Sequence, residues 1–166
     1  MKALHLLRHA KSSWDDPSLD DFERPLAPRG RRAARKVGRY LRTSGTHPAL
    51  VLCSPARRTR DTLELLGPAG GEMRFDRALY GASAEELTAV LRALPGEVPS
   101  VLLIGHNPGL QQLAIQLAGD GDEGHLERMR EKMPTGALAS LELVGGWGEL
   151  TVGAGRLVDY VVPKEL

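Results

Sequence analysis

The sequence predicts an α/β fold in which helices cover both faces of a mostly parallel sheet, a three-layer α/β/α sandwich. Short apolar runs alternate with segments of helical periodicity, and the C-terminal part is rich in predicted strands. The 166 residues, of which 42% are hydrophobic and 26% are charged, suit a globular chain with one sizeable core. We therefore expect a single domain over residues 1–166.

Three short apolar runs predict buried strands, at residues 3–7, 49–53 and 100–104. The helix predicted after the first run has its apolar residues on one face and ends near Gly45. A capping box that starts at Ser83 marks the beginning of another helix. In chain order, the predicted helices span residues 29–42, 56–66, 84–94 and 110–118.

The remaining segments carry weaker patterns. Residues 75–79 indicate a short strand, and residues 124–133 are ambiguous between helix and loop. Residues 137–144 and 148–152 are typical of two antiparallel strands, and residues 157–162 indicate a last strand. We therefore expect antiparallel strands at the C-terminal end of the sheet.

Composition argues against several classes of protein. Lysine and arginine total 22 against 21 aspartate and glutamate, a formal net charge of +1, which disfavours a globally basic nucleic-acid binder. The single cysteine, Cys53, leaves no intrachain disulfide and no cysteine-rich zinc site. No apolar stretch approaches the roughly 20 residues of a membrane span, and the first apolar run is too short for a signal peptide. We expect a cytoplasmic protein that does not enter a membrane.

Polar motifs follow three of the predicted strands at the point where each strand ends. The segment RHAKS (residues 8–12) follows the first strand, SPARRT (residues 54–59) the second and GHNPG (residues 105–109) the third. The carboxyl ends of parallel strands meet at one edge of a sheet, and ligands bind there. Two histidines and at least two arginines are therefore expected to converge on one pocket.

Arginines and histidines without a carboxylate cluster suit a tetrahedral dianion. Arginine stays charged and presents a planar fork to phosphate oxygens. Histidine can act as a nucleophile, and neighbouring arginines favour its neutral, nucleophilic form. The free amides at the N-terminus of the helix after residues 105–109 offer a second anion site. These residues predict phosphoryl-transfer chemistry.

Over nearly the whole chain, these motifs resemble the histidine phosphatase (phosphoglycerate-mutase-like) superfamily. LRHA (residues 7–10) is similar to its Arg-His-Gly signature, and GHNP (residues 105–108) is similar to its second-histidine motif. Further segments carry the resemblance. They are RPL (residues 24–26) followed by PRG (residues 28–30), Ser54-Pro55 with Arg58 and Thr62, Pro134-Thr135-Gly136-Ala137, and Pro163-Lys164. The later features and the short length resemble the small SixA-type phosphohistidine phosphatases. The resemblance implies a phosphoglycerate-mutase-like fold.

The resemblance also implies a role for each matching residue. His9 would be the nucleophile and become transiently phosphorylated, Arg8 and Arg58 would bind the phosphate, and His106 would contact it and stabilise the transition state. No metal and no cofactor is implied. The implied substrate is phosphohistidine in a protein. A small phosphoester, or phosphate binding by a catalytically degenerate module, remains the alternative.

The sequence departs from the superfamily pattern in two places. Ala10 replaces the usual glycine of the signature, and we expect an adjusted turn there. Residues 77–82 lack the glutamate that protonates the leaving oxygen in the mutases and in many acid phosphatases. This absence disfavours a mutase and suits a phosphoramidate, whose imidazole leaving group needs less help from an acid. Four other carboxylates remain candidate proton donors: Asp15, Asp16, Glu23 and Glu85.

Four further residues are candidate ligands of the phosphate or the substrate. Lys11 and Ser12 follow the predicted nucleophile closely enough to contact either group. Arg24 either lies at the pocket mouth or pairs with a neighbouring acid among residues 20–23. Asn107 could offer its backbone amide to the phosphate.

The helix predicted at residues 29–42 carries seven basic residues and no acidic residue. A solvated outer face is the favoured interpretation, and a docking surface for an acidic partner or for nucleic acid is the alternative. No aromatic platform accompanies the charges and the net charge of the chain is near zero, so we expect no nucleic-acid partner.

Overall fold

The computed structural model of the protein describes residues 1–166 and contains seven strands and five α-helices. The strands are β1 (Lys2–Arg8), β2 (Leu50–Cys53), β3 (Glu72–Phe75), β4 (Ser100–Gly105), β5 (Ala118–Gly121), β6 (Leu138–Leu143) and β7 (Gly155–Val161). The helices are α1 (Pro28–Thr43), α2 (Arg57–Leu66), α3 (Ala84–Arg92), α4 (Gly109–Leu117) and α5 (Glu123–Glu131). None of the helices is both long enough and apolar enough to cross a membrane.

All seven strands form one sheet in the order β3-β2-β4-β1-β6-β7-β5. The first four strands of this order are parallel, whereas β6 is antiparallel to both of its neighbours, β1 and β7. The short strand β5 joins the edge parallel to β7. The expected α/β fold, mostly parallel with antiparallel strands near the C-terminus, is confirmed.

Successive residues of the central strands face opposite helical layers. Leu4 and Leu6 of β1 pack in the larger core, which contains apolar residues of α3, α4 and α5. Leu7 packs in the second core with residues of α1 and α2. All three side chains are fully buried, and truncating one of them to alanine typically costs about 2–5 kcal/mol. These two cores hold β1 rigidly at the centre of the sheet.

Two glycines allow α1 to approach its neighbours closely. A Cβ at Gly38 would lie 1.9 Å from the backbone oxygen of Leu66 in α2. A Cβ at Gly30 would lie 2.0 Å from the backbone oxygen of Lys11, just beyond the end of β1. The N-terminal turn of α1 is therefore seated against the chain that follows β1.

Two predicted strands are wrong. Within residues 75–79, only Phe75 is in a strand, and a 3₁₀ turn follows at Arg77–Leu79, where the Asp76 carboxylate accepts from the Ala78 amide. Residues 148–152 form no strand, because β7 occupies the place beside β6. Buried Trp147 anchors this segment by donating from its indole N–H to the Val98 carbonyl (2.9 Å).

Two other segments differ from their weak patterns. The glycine- and aspartate-rich segment Ala118–Gly121 forms the edge strand β5, although its composition does not indicate a strand. The ambiguous residues 124–133 are largely helical, since α5 begins after Asp122, whose side chain accepts from the His125 amide.

Candidate active site

The three polar motifs meet where β1, β2 and β4 end. These strands are adjacent and parallel, and their register pairs Arg8 with Gly105 and Cys53 with Ile104. The residues that follow therefore emerge side by side. His9 and His106 lie with their ring centroids 5.4 Å apart, and Arg58 reaches the same place from the first turn of α2.

The ring of His9 is held in one tautomer. Its Nδ1 lies 2.7 Å from the carbonyl oxygen of Ala10, which can only accept, so Nδ1 carries the hydrogen. The Nε2 atom therefore carries a lone pair, and it has no hydrogen-bond partner in the protein. Burial lowers the pKa of His9 to about 3; the Ala10 carbonyl opposes this shift, and the charges of His106, Arg58 and Arg8 add to it. At neutral pH, His9 is an uncharged imidazole with a free Nε2.

Alanine fits in the place of the signature glycine. Ala10 is fully buried beside Leu26 and Ala34, and no residue other than glycine has a positive φ anywhere in the chain. Its amide donates to the Thr62 hydroxyl (3.1 Å), which in turn donates to the Arg58 carbonyl (2.7 Å). The turn needs no conformation reserved for glycine, and this relay joins the first motif to the second.

Three buried donors around His9 have no partner. They are Arg8 Nε, Arg58 Nε and His106 Nδ1, and they are the only buried side-chain nitrogen or oxygen atoms of the chain without a hydrogen bond. Leaving such a group unpaired costs about 1–3 kcal/mol. A bound group rich in acceptor oxygens would satisfy all three donors and would be attracted by the two guanidinium charges.

Ser54 determines which nitrogen of His106 faces this site. The Ser54 hydroxyl lies 2.7 Å from His106 Nε2 and accepts a long hydrogen bond from the Ala56 amide (3.4 Å). Nε2 is the acceptor within reach of the Ser54 hydroxyl hydrogen, so the tautomer that pairs this buried hydrogen carries the ring hydrogen on Nδ1. Burial and the Arg58 charge lower the pKa of His106 to about 4. His106 is therefore a neutral histidine whose Nδ1 has no partner in the protein and whose ring lies beside that of His9.

Asp21 is a residue of this site that the sequence did not single out. Its backbone oxygen accepts from Arg58 Nη1 (2.7 Å), and its carboxylate accepts from Arg58 Nη2 (3.0 Å), Arg24 Nε (3.2 Å) and the Tyr80 hydroxyl (2.6 Å). The i, i+3 spacing to Arg24 was its only sequence signal. Asp21 fixes Arg58 from the solvent side, which leaves the Nε edge free.

Arg58 is the arginine of its motif that enters the site. Its side chain is only 8% exposed. Arg57 is half exposed and pairs with Asp61, and Arg60 is exposed and donates to the Pro55 carbonyl. The spacing from Ser54 had favoured Arg58 over these two neighbours.

The other candidate ligands have different positions. Arg24 pairs with Asp21, one of its expected acidic partners, and its guanidinium lies 3.4 Å from the centroid of the Trp14 ring. The hydroxyl of Ser12 accepts from Arg24 (2.9 Å) and therefore supports that side chain. The side chain of Lys11 makes no hydrogen bond and lines a neighbouring cavity.

Asn107 orders the loop before α4. Its Nδ2 donates to the Met133 carbonyl (3.0 Å), which also accepts from Arg8 Nη1 (3.1 Å), and its Oδ1 accepts from the Gln111 amide (3.1 Å). The side chain thus ties the first and third motifs to the segment before β6, while its backbone amide keeps the candidate role.

The carboxylate that contacts the site arginines is ionised and cannot donate a proton. Tyr80 lies in the segment without the glutamate, and its ring meets His106 edge-on with centroids 5.5 Å apart. The hydrogen bond from Tyr80, together with Arg58 and Arg24, lowers the pKa of Asp21 to about 2, so this carboxylate is ionised at neutral pH. The four candidate donors, Asp15, Asp16, Glu23 and Glu85, make no side-chain hydrogen bond to the site histidines or arginines.

The Cys53 thiol is not suited to chemistry. Cys53 is fully buried, and burial raises the pKa of its thiol to about 12, so it packs as a small apolar residue. No three His, Cys, Asp or Glu side chains are placed together to hold a metal ion.

Comparison with known proteins gives consistent matches. Residues 4–89 match the histidine phosphatase superfamily (branch 1). An uncharacterized protein of Mycobacterium tuberculosis is 38% identical over 160 residues, which cover 95% of this chain and 100% of that protein. An uncharacterized protein of Mycobacterium leprae is 35% identical over 162 residues, with coverage of 95% and 100%.

Solved structures with the same fold carry the name SixA. SixA from Nakamurella multipartitia superposes with a TM-score of 0.87 at 30% identity, covering 98% of this chain and 96% of that chain. SixA from Agrobacterium tumefaciens gives a TM-score of 0.83 at 30% identity, with 98% of both chains covered. A protein histidine phosphatase SixA complexed with tungstate gives 0.79 at 26% identity, again with 98% of both chains covered.

Proposed function

Since this chain belongs to the histidine phosphatase superfamily, we propose that it removes the phosphoryl group from phosphohistidine in a protein through a phosphorylated His9. The observation that carries the proposal is the free Nε2 of neutral His9 beside three buried, unpartnered N–H donors. The nucleophile and the anion-binding groups are thus oriented before any substrate arrives.

In the first step, the lone pair of His9 Nε2 attacks phosphorus. A bond forms between Nε2 and phosphorus as the bond between phosphorus and the substrate imidazole breaks, and that imidazole, which carries a proton from solvent on its other ring nitrogen, leaves as a neutral molecule with the electron pair. The unpartnered donors of Arg8, Arg58 and His106 hold the equatorial oxygens, where negative charge is spread in the transition state. The Nδ1 hydrogen bond to Ala10 stabilises the positive charge that His9 acquires.

In the second step, water attacks the phosphorus of phospho-His9. The new oxygen–phosphorus bond replaces the bond to Nε2, the water proton passes to solvent or phosphate, and inorganic phosphate leaves. His9 returns to its neutral form, which its low pKa favours.

A phosphoramidate suits this site better than a phosphoester. Imidazole leaves more readily than an alkoxide, which needs a proton from an acid in the transition state. Asp21 is the carboxylate nearest to the arginines, and with its pKa at about 2 it cannot supply that proton at neutral pH. The name of the tungstate-bound relative, a protein histidine phosphatase, supports the same substrate class.

A rapid-quench experiment tests the mechanism. With a radiolabelled phosphohistidine peptide, we expect an acid-labile, base-stable phosphoprotein that forms and decays during one turnover. His9→Ala should abolish the adduct and lower kcat by more than about a thousandfold. His47→Ala, which removes an exposed loop histidine, is the matched control and should leave both unchanged.

Three outcomes would contradict the proposal. Full turnover by His9→Ala would rule out this nucleophile. Higher kcat/KM for p-nitrophenyl phosphate than for phosphohistidine peptides would assign the site to small phosphoesters. Phosphate binding without turnover of any substrate would show a binding module.

A further inference from the structure

A strongly basic cavity of about 520 Å³ adjoins the candidate active site. Six of its eleven lining residues are basic and none is acidic. The six are Lys11, Arg29, Arg32, Lys36, Lys132 and Lys164, and the space that they line is called the basic cavity. We propose that the basic cavity binds an acidic segment of the protein whose phosphohistidine occupies the active site. The identity of this ligand rests on the proposed function; the presence of an anion site does not.

The positive charge of the basic cavity is not neutralised within the protein. The seven ion pairs of the structure involve none of the six basic residues, and none of their side chains makes a hydrogen bond. Arg29, Arg32 and Lys36 lie three and four residues apart on one face of α1, where like charges repel. The chain as a whole has a net charge of only +1, so this concentration of unpaired charge is local.

The walls of the basic cavity are connected to the nucleophile through residues close to it in the chain. Lys11 follows His9 by two residues, and its backbone oxygen accepts from the Ala27 amide just before α1. On the other wall, Thr135 precedes Gly136, whose amide donates to the His9 carbonyl (2.9 Å). The C-terminal wall at Val162–Lys164 follows β7 at the same edge of the sheet, because β7 ends where β6 begins. A ligand attached to a phosphoryl group on His9 could therefore continue into this cavity.

The shape of the cavity favours an extended acidic peptide. From Arg29 to Lys36 the face of α1 rises about 10 Å, the length of about three residues of extended chain. Three of the six positive charges are distributed along this length, whereas a single phosphate needs its charges gathered around one point. Ala33, Val162 and Pro163 add aliphatic contacts between them. No aromatic side chain lines the cavity, so it offers no stacking surface for a nucleotide or nucleic acid.

Two phosphohistidine peptides test the proposal in turnover, one flanked by glutamates and one flanked by glutamines. We expect the full-length protein to process the acidic peptide with a kcat/KM roughly tenfold higher, mostly through a lower KM. The double variant Arg32→Gln/Lys36→Gln should bring the ratio of the two kcat/KM values close to one. The matched control Arg35→Gln/Arg39→Gln removes two exposed charges from α1 outside the cavity and should keep the ratio.

A binding measurement separates this inference from the proposed function. A fluorescein-labelled polyglutamate peptide without phosphate should bind, by fluorescence anisotropy, to the full-length protein and to Arg35→Gln/Arg39→Gln but not to Arg32→Gln/Lys36→Gln. If the labelled peptide binds in this pattern but the protein does not turn over phosphohistidine, the acidic-peptide site is supported and phosphohistidine is refuted as the substrate. Turnover with equal kcat/KM for both peptides would refute the basic cavity as a docking site. Equal losses of labelled-peptide binding in the two double variants would also overturn the inference. So would stronger displacement of the labelled peptide by inorganic tripolyphosphate than by unlabelled polyglutamate.

Discussion

The ionisation of His9 provides the sharpest quantitative test of the site. An imidazole in water has a pKa of 6.5, whereas burial against the arginines lowers the pKa of His9 to about 3. At pH 5 an ordinary histidine is only about 3% neutral, but His9 should be about 99% neutral. Lowering the pH from 7 to 5 should therefore leave the nucleophile uncharged.

The same difference in pKa links stability to pH. Below pH 6.5 the unfolded chain binds a proton at His9 that the folded protein does not bind, so stability falls as the pH falls from 6.5 toward 3. One pKa unit corresponds to about 1.4 kcal/mol, so the difference at His9 alone should lower the free energy of unfolding by about 2 kcal/mol between neutral pH and pH 5. His106, with its pKa lowered to about 4, should add a loss of similar size.

Nitrogen-15 NMR of histidine-labelled protein measures this ionisation directly. We expect the His9 ring to keep the pattern of the Nδ1–H tautomer down to about pH 4, with His9→Ala identifying its signals. The same protein in urea should titrate at the ordinary histidine pKa and is the control. Titration of His9 near 6.5 in the folded state, or an Nε2–H tautomer, would refute the argument from burial and the Ala10 carbonyl.

Three further predictions concern single substitutions. Ser54→Ala should free the ring of His106 from its hydroxyl partner and lower kcat roughly tenfold or more in steady-state assays. The control Thr59→Val also loses buried hydrogen bonds but should change kcat less than about twofold. Equal effects of the two substitutions would contradict the assigned tautomer of His106. Asp21→Asn removes a half-exposed anion from beside the phosphate-binding groups, so inhibition by inorganic phosphate should strengthen about fivefold, and an unchanged inhibition constant would count against this arrangement. Gly38→Ala forces a methyl group to within 1.9 Å of a backbone oxygen of α2 and should cost about 3 kcal/mol or more in urea unfolding, while Gly148→Ala, with open space around it, should cost less than about 1 kcal/mol.

The parts of the fold that the sequence predicts well are those where local pattern and burial agree. The runs that became β1, β2 and β4 are apolar because both of their faces are covered by helices. The capping box at Ser83 is present as predicted, because it depends only on residues three apart in the chain. Local patterns of this kind need no knowledge of distant contacts.

The errors fall where distant contacts decide the structure. Residues 148–152 have the composition of a strand, but Trp147 anchors them through Val98, which lies 49 residues away in the chain. The segment Ala118–Gly121 has the composition of a loop, and its pairing with β7 makes it a strand. In both cases tertiary pairing overrides local propensity.

The sequence by itself predicted which residues could take part in phosphoryl transfer and that they lie at one sheet edge, because the motifs follow strands whose alternation with helices is typical of a parallel sheet. Only the tertiary structure decided how these residues are prepared for the reaction. The Ala10 carbonyl, Ser54 and Asp21 select the free Nε2 of His9, the Nδ1 donor of His106 and the unpartnered Nε of Arg58. Tautomers, pKa values and unpartnered donors depend on which atoms meet and how deeply they are buried. The spacing of residues along the chain does not contain that information.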